Sequence, residues 1–147
     1  MINKFFSYGT LLPELTNYRL VQQFKHSIDY GYVTGRLFWV PNFEFPVLVD
    51  TKKDAYDIWG AIYSFNNNEI LRVISCFDAL EGYYEHIETA CFYNRIKVKV
   101  VGLVNEEFDA YTYICNPELA ETFSDSAEEI EHGNFYRAVK EQQNGKL

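Results

Sequence analysis

The sequence predicts an α+β fold built on a mixed sheet that curls toward a barrel, and three observations lead there. Extended segments outnumber helical ones, and they do not alternate regularly with helices. Glycines fall inside aromatic and β-branched runs, where a curved sheet has to bend.

Each element has its own reason. Asn3 to Tyr8 is aromatic-rich and runs into Gly9, a strand ending in a tight turn. Pro13 suits a first helical position, and Leu15, Tyr18, Val21 and Phe24 recur at helical spacing. Aromatic and β-branched residues dominate from Ile28 to Val40, and Phe45 to Val49 continues them, so two extended segments are expected either side of a Pro/Asn turn. Ile58 to Phe65 is a further strand. Asn66 or Asn67 suits a helix cap supported by Glu69, with Ile70, Leu71, Val73, Ile74 and Phe77 on one apolar face and a stop near Gly82. Arg95 to Val101 alternates, and Asp109 to Cys115 is its hairpin partner across the polar turn Asn105-Glu106-Glu107. After Pro117 the chain becomes acidic and reads as two helices separated by Gly133. A single domain over 1–141 and a polar tail over 142–147 are expected.

Bulk properties narrow the function classes. A chain of 147 residues can bury about two-thirds of its unfolded surface and needs no metal or disulfide staple. Its net charge of −8, with no cluster of Lys or Arg, repels phosphate backbones and anionic membranes, so neither nucleic acid nor membrane is an expected partner. Cys76, Cys91 and Cys115 are odd in number and widely spaced, which fits reduced thiols better than disulfides or zinc ligands. The stretch Phe5 to Leu12 is too short and too punctuated for a signal peptide, so a cytoplasmic location is expected. The sequence leaves room for a homodimer without pointing to one.

Phosphate loops, dinucleotide glycine fingerprints, nucleophile elbows and paired histidines are all missing. His26, His86 and His132 stand far apart in polar surroundings and read as structural or surface groups. Two places carry chemistry. Glu81 ends an apolar helix just before Gly82, Tyr83 and Tyr84; it is either a solvent-facing terminal carboxylate or a desolvated general base among aromatic walls. Tyr8-Gly9-Thr10-Leu11 is either an ordinary strand-ending turn or a loop whose amides cradle a carboxylate near a helix start.

Together these motifs resemble a known family. Tyr-Gly-Thr-Leu-Leu after an opening strand, Asp78-Ala79-Leu80-Glu81-Gly82-Tyr83 closing a middle helix, and Tyr93-Asn94-Arg95 opening a later strand are similar to the gamma-glutamylcyclotransferase-like superfamily. Gly35-Arg36-Leu37-Phe38, Phe45-Pro46-Val47-Leu48, Trp59-Gly60-Ala61-Ile62-Tyr63 and Asp109-Ala110-Tyr111-Thr112-Tyr113 fit the same order, so the resemblance runs from Phe5 to about Phe135. Phe77, Gly133-Asn134-Phe135 and the long Tyr83 to Phe92 segment depart from the family's usual pattern.

The resemblance implies a small mixed β-barrel flanked by helices. It also implies an enzyme that closes a γ-glutamyl amino acid or γ-glutamyl amine into 5-oxoproline, releasing the amine without metal or organic cofactor. In that reading Glu81 is the acid/base, and amides around Gly9, Thr10 and Leu11 hold the substrate's α-carboxylate. Tyr8 and Tyr113 line the pocket, and Arg95 either neutralises a carboxylate or pairs with an acidic surface residue. Structural roles for Tyr113 and Arg95 fit the sequence equally well. The alternative is a non-catalytic small-molecule binding or regulatory protein that retains the pocket.

Overall fold

Strand β2 (His26–Trp39) is the longest among the described residues and holds two sheet regions together. Its first ten residues pair antiparallel with β4 (Tyr56–Phe65), and its last four turn away to pair with β3 (Pro46–Val49). The computed structural model describes residues 1–39, 45–85, 92–116 and 127–143. β1 (Lys4–Ser7) and α1 (Tyr18–Gln22) precede β2 in the chain; α2 (Ile70–Glu81), β5 (Tyr93–Gly102), β6 (Glu107–Cys115), β7 (Glu128–Glu129) and α3 (Phe135–Gln143) follow β4.

Five strands close into a barrel in the order β2-β4-β1-β6-β5, with β5 returning to β2 through Gly31↔Gly102 and Tyr32↔Val101. Among the described residues all pairings are antiparallel except the β1–β6 seam, which is parallel at Phe5↔Tyr111. Strands β3 and β7 lie outside the ring on β2. The expected α+β fold, a small mixed barrel flanked by helices, is the one observed.

Alternation along β1 explains the two cores. Phe6 packs with Val33, Ile58, Ile62, Val100 and Ala110 from every other strand of the ring, which fills the barrel. Phe5 faces the other way into a cluster with Tyr63, Phe65 and the apolar stripe Ile70, Val73 and Phe77 of α2. The ring of Phe5 meets that of Phe77 edge-on at 4.9 Å, so α2 docks on the barrel wall through aromatic packing.

Several local expectations change in the folded chain. Pro13 does not open a helix: Leu12 and Leu15 donate to Gly9 and Leu12 carbonyls in successive turns, Glu14 takes a positive φ of 70°, and helix begins only at Tyr18. The cap of α2 is Glu69 rather than Asn66 or Asn67, because the Glu69 amide closes a turn onto the Asn66 carbonyl while its carboxylate reaches Arg72. Glu128–Glu129 is strand, not helix. Arg36 grips the Glu129 carboxylate with two hydrogen bonds of 2.7 and 2.8 Å, Tyr56 adds a third at 2.9 Å, and Ile130 donates to the Leu37 carbonyl. These tertiary contacts outweigh local helix propensity. Residues 117–126, where the first acidic helix was expected, lie outside the described residues, as do Cys91 and His86. The tail expected over 142–147 begins inside α3, which runs to Gln143, and 144–147 lie outside the described residues. No described helix is long and apolar enough to cross a membrane.

Gly31 and Gly60 face each other in the β2–β4 register, where the barrel bends. A Cβ on Gly31 would stand 2.4 Å from the Val101 carbonyl oxygen, on the seam that closes the ring. Gly31→Ala is therefore expected to destabilise the fold by about 2 kcal/mol, since closely packed backbone cannot give way cheaply. Urea unfolding of the two proteins measures the difference.

Candidate functional site

A cavity of about 510 Å³ opens between the loop after β1 and the end of α2. One wall is Tyr8, Gly9, Thr10 and Leu11. The other carries Leu80 and Glu81, with Phe45, Phe92 and Tyr93 beside them, and Tyr113 lies at the floor.

The first wall is rigid for local reasons. The Tyr63 hydroxyl donates to the Leu11 carbonyl at 2.6 Å, and Asn17 binds Thr10 twice, amide to carbonyl at 2.9 Å and side chain to hydroxyl at 2.8 Å. Pro46 presses on Gly9 so closely that a Cβ there would lie 2.9 Å from its ring, which only glycine accepts. Among the described residues the amides of Gly9, Thr10 and Leu11 donate to no protein acceptor. They are not the start of a helix, since α1 begins seven residues beyond Leu11, so any anion held there is held by hydrogen bonds rather than by a helix dipole.

The second wall is set by the end of α2. Gly82 adopts the left-handed conformation at φ 68°, and the amides of Gly82 and Tyr83 both close on the Asp78 carbonyl, which stops the helix with Glu81 on its last turn. Asp78 then fixes the rotation of that turn. Its Oδ1 accepts from Tyr113 Oη at 2.6 Å and from Arg95 Nε at 2.9 Å, and the Arg95 guanidinium also lies over the rings of Tyr83 and Tyr111.

Burial governs the electrostatics. Desolvation pushes the Glu81 carboxyl up from its usual 4.5 to about 7. A position at a helix C-terminus acts in the same direction, because the negative end of the dipole disfavours a second negative charge. Tyr8, Tyr93 and Tyr113 are all held well above the usual phenol range, chiefly by burial, and the Glu81 carboxylate adds to each. Each hydroxyl is a committed donor: Tyr8 to the Tyr113 carbonyl at 2.5 Å, Tyr93 to the Pro46 carbonyl at 2.6 Å, and Tyr113 to Asp78.

Six of the residues singled out in the sequence, Tyr8, Gly9, Thr10, Leu11, Glu81 and Tyr113, line this one cavity. Arg95 does not line it; it stands opposite Tyr113 in the β5–β6 register and ion-pairs with Asp78. Asn17, Phe45, Pro46, Tyr93 and Thr112 line the cavity without having been singled out as site residues. Four of these five sit within motifs that carry the family resemblance; Asn17 had no such signal. Among the histidines, His26 takes a structural role through the Phe24 carbonyl and Tyr18, and His132 Nδ1 accepts from the Asn134 amide. Cys76 and Cys115 carry free thiols.

Comparison with known proteins fits this architecture. No curated protein matches the chain. YkqA from Bacillus subtilis superposes with a TM-score of 0.64 at 21% identity over 99% of this chain, which spans 43% of the YkqA chain. The uropathogenic E. coli-specific protein c4763 superposes with 0.61 at 16% identity, covering 94% of each chain. An AIG2-like protein from Mus musculus gives 0.58 at 18% identity, covering 80% of this chain and 81% of its own. At such identities these likenesses establish the fold alone. The family model described as gamma-glutamyl cyclotransferase, AIG2-like, matches residues 5–137, and the chain therefore belongs to that family.

Proposed function

We propose that this protein cyclises a γ-glutamyl compound to 5-oxoproline, with Glu81 as the acid/base. The observation that carries this reading is that the Glu81 side chain borders the same cavity as three uncommitted backbone amides; desolvation there raises its carboxyl to about 7. Family membership supports a cyclotransferase-type reaction; the residue roles rest on the geometry.

The amides of Gly9, Thr10 and Leu11 bind the substrate's α-carboxylate, which brings the neighbouring α-ammonium toward Glu81. Glu81 accepts a proton from that ammonium. The freed amine attacks the γ-carbonyl carbon of the same molecule, Glu81 gives its proton to the leaving nitrogen as the bond from that carbon breaks, and the second proton of the attacking nitrogen passes by way of Glu81 to the departing amine, which leaves protonated. Products are 5-oxoproline and a free amine, with no water consumed.

Physical chemistry assigns the protein two tasks. Holding the chain bent makes the attack intramolecular, worth an effective molarity of roughly 10⁵ M or more. A positioned acid/base adds roughly 10²- to 10⁴-fold, and it works best with a pKa near ambient pH, which the desolvated setting of Glu81 supplies.

Release of 5-oxoproline from a panel of γ-glutamyl amino acids and amines should fall at least about 100-fold in Glu81→Gln, which keeps the shape and removes the base. If the native protein turns over none of them while carboxylates still bind at the Gly9 loop, a binding protein that retains the pocket replaces this reading. In the native protein kcat/KM should rise about tenfold per pH unit below pH 7 and level off above it, because only the carboxylate form accepts the proton.

The raised carboxyl also has a cost in stability. Below its unfolded value near 4.5 Glu81 is protonated in both states and costs nothing. As pH rises toward 7 the unfolded chain releases its proton first, so the folded state loses up to about 3 kcal/mol and stays that much weaker above pH 7. Glu81→Gln is accordingly expected to be more stable than the native protein at pH 8 and equal to it at pH 4, as read by urea unfolding at both.

A further inference from the structure

Charge and donor supply in the cavity limit what the departing amine can carry. Of the 13 Lys and Arg residues all but Lys146 lie among the described residues, and none of those lines the cavity. The segments 40–44, 86–91 and 117–126 contain no Lys or Arg; they contain Glu44, Glu88, Glu118, Glu121 and Asp125.

Hydrogen-bond donors are equally one-sided. The hydroxyls of Tyr8, Tyr93 and Tyr113 and of Thr112 all donate to protein oxygens, Thr112 to the Phe6 carbonyl at 2.8 Å. The three uncommitted amides, and the polar side chains of Ser7, Thr10 and Asn17 that also line the cavity, all belong to β1 and the segment between it and α1, the side assigned to the α-carboxylate. On the opposite side Phe45, Phe92 and Tyr93 form a contiguous aromatic cluster, with ring centroids 4.9 to 6.1 Å apart, beside Leu80 and Glu81.

We propose that the leaving amine is an apolar or aromatic primary amine bearing no carboxylate, seated on the Phe45, Phe92 and Tyr93 cluster. This inference rests on the cyclotransferase reading. With the α-carboxylate on the loop amides, a second carboxylate on the leaving group would face an apolar, partly exposed aromatic wall with no cation among the described lining residues, on the side of the cavity that carries the Glu81 carboxyl. A charge set against an apolar wall without a partner is disfavoured by more than its extra contacts return.

The test uses two probes that differ by one carboxylate, γ-glutamyl-phenethylamine and γ-glutamyl-phenylalanine. The ratio of their kcat/KM values should favour the amine by about 100-fold or more. Leu80→Arg, which places a cation on a half-exposed position of the cavity wall, should shrink that ratio at least about tenfold; because both probes share Glu81, any effect on the base cancels. A ratio near one, or turnover confined to γ-glutamyl amino acids, overturns the inference and leaves the cyclotransferase reading standing. If no γ-glutamyl compound is turned over, the cyclotransferase reading fails and this inference fails with it.

Discussion

Tyr113 joins the two halves of the site. Its backbone carbonyl receives the Tyr8 hydroxyl, which anchors the strand leading into the Gly9 loop, and its own hydroxyl binds Asp78, which anchors the last turn of α2. The two walls of the cavity are far apart in sequence and share no secondary structure. They meet because β1 is inserted beside β6 in a parallel pairing, reinforced by Thr112 donating to the Phe6 carbonyl. Arg95 completes the joint from the neighbouring strand by holding the same Asp78 oxygen. The barrel acts as the frame that makes this joint possible, and the tight Gly31 seam keeps that frame closed.

The site also illustrates a trade between stability and chemistry. A half-buried carboxyl at an aromatic-lined cavity weakens the fold at neutral pH, yet the same desolvation brings its proton affinity to the working pH. Large aromatic side chains serve both purposes. They fill the core on either face of β1, and where they reach the cavity their hydroxyls are spent on backbone and Asp78 rather than on a ligand. The overall charge of −8 offers an anionic substrate no long-range attraction, which leaves recognition to the short-range amides of the loop.

Much of this was legible in the sequence where local rules and the final fold agree. The β5–β6 hairpin follows its alternation, with Val100 buried and Lys97 and Lys99 exposed, and α2 stops at the left-handed Gly82 as the glycine signal required. Where contacts across the fold decide the outcome, local reading fell short. Glu128 and Glu129 lie in an acidic stretch that favours helix, but Arg36 and Tyr56 draw Glu129 onto β2. The helix expected from Pro13 starts at Tyr18, since Asn17 and Tyr63 fold the preceding residues into the loop that walls the cavity. Asp78 and Arg95 stood in the motif, but their joint role depends on a register between β5 and β6 that no single segment encodes.

The most direct measurement is the titration of Glu81 itself, followed through the side-chain carboxyl resonance of ¹³C-labelled protein and assigned by its loss in Glu81→Gln. The expected midpoint lies near pH 7, which identifies a desolvated group poised to move protons at the cavity wall. A midpoint near the ordinary 4.5 would show a solvated carboxylate, and the account of Glu81 as the base would be contradicted.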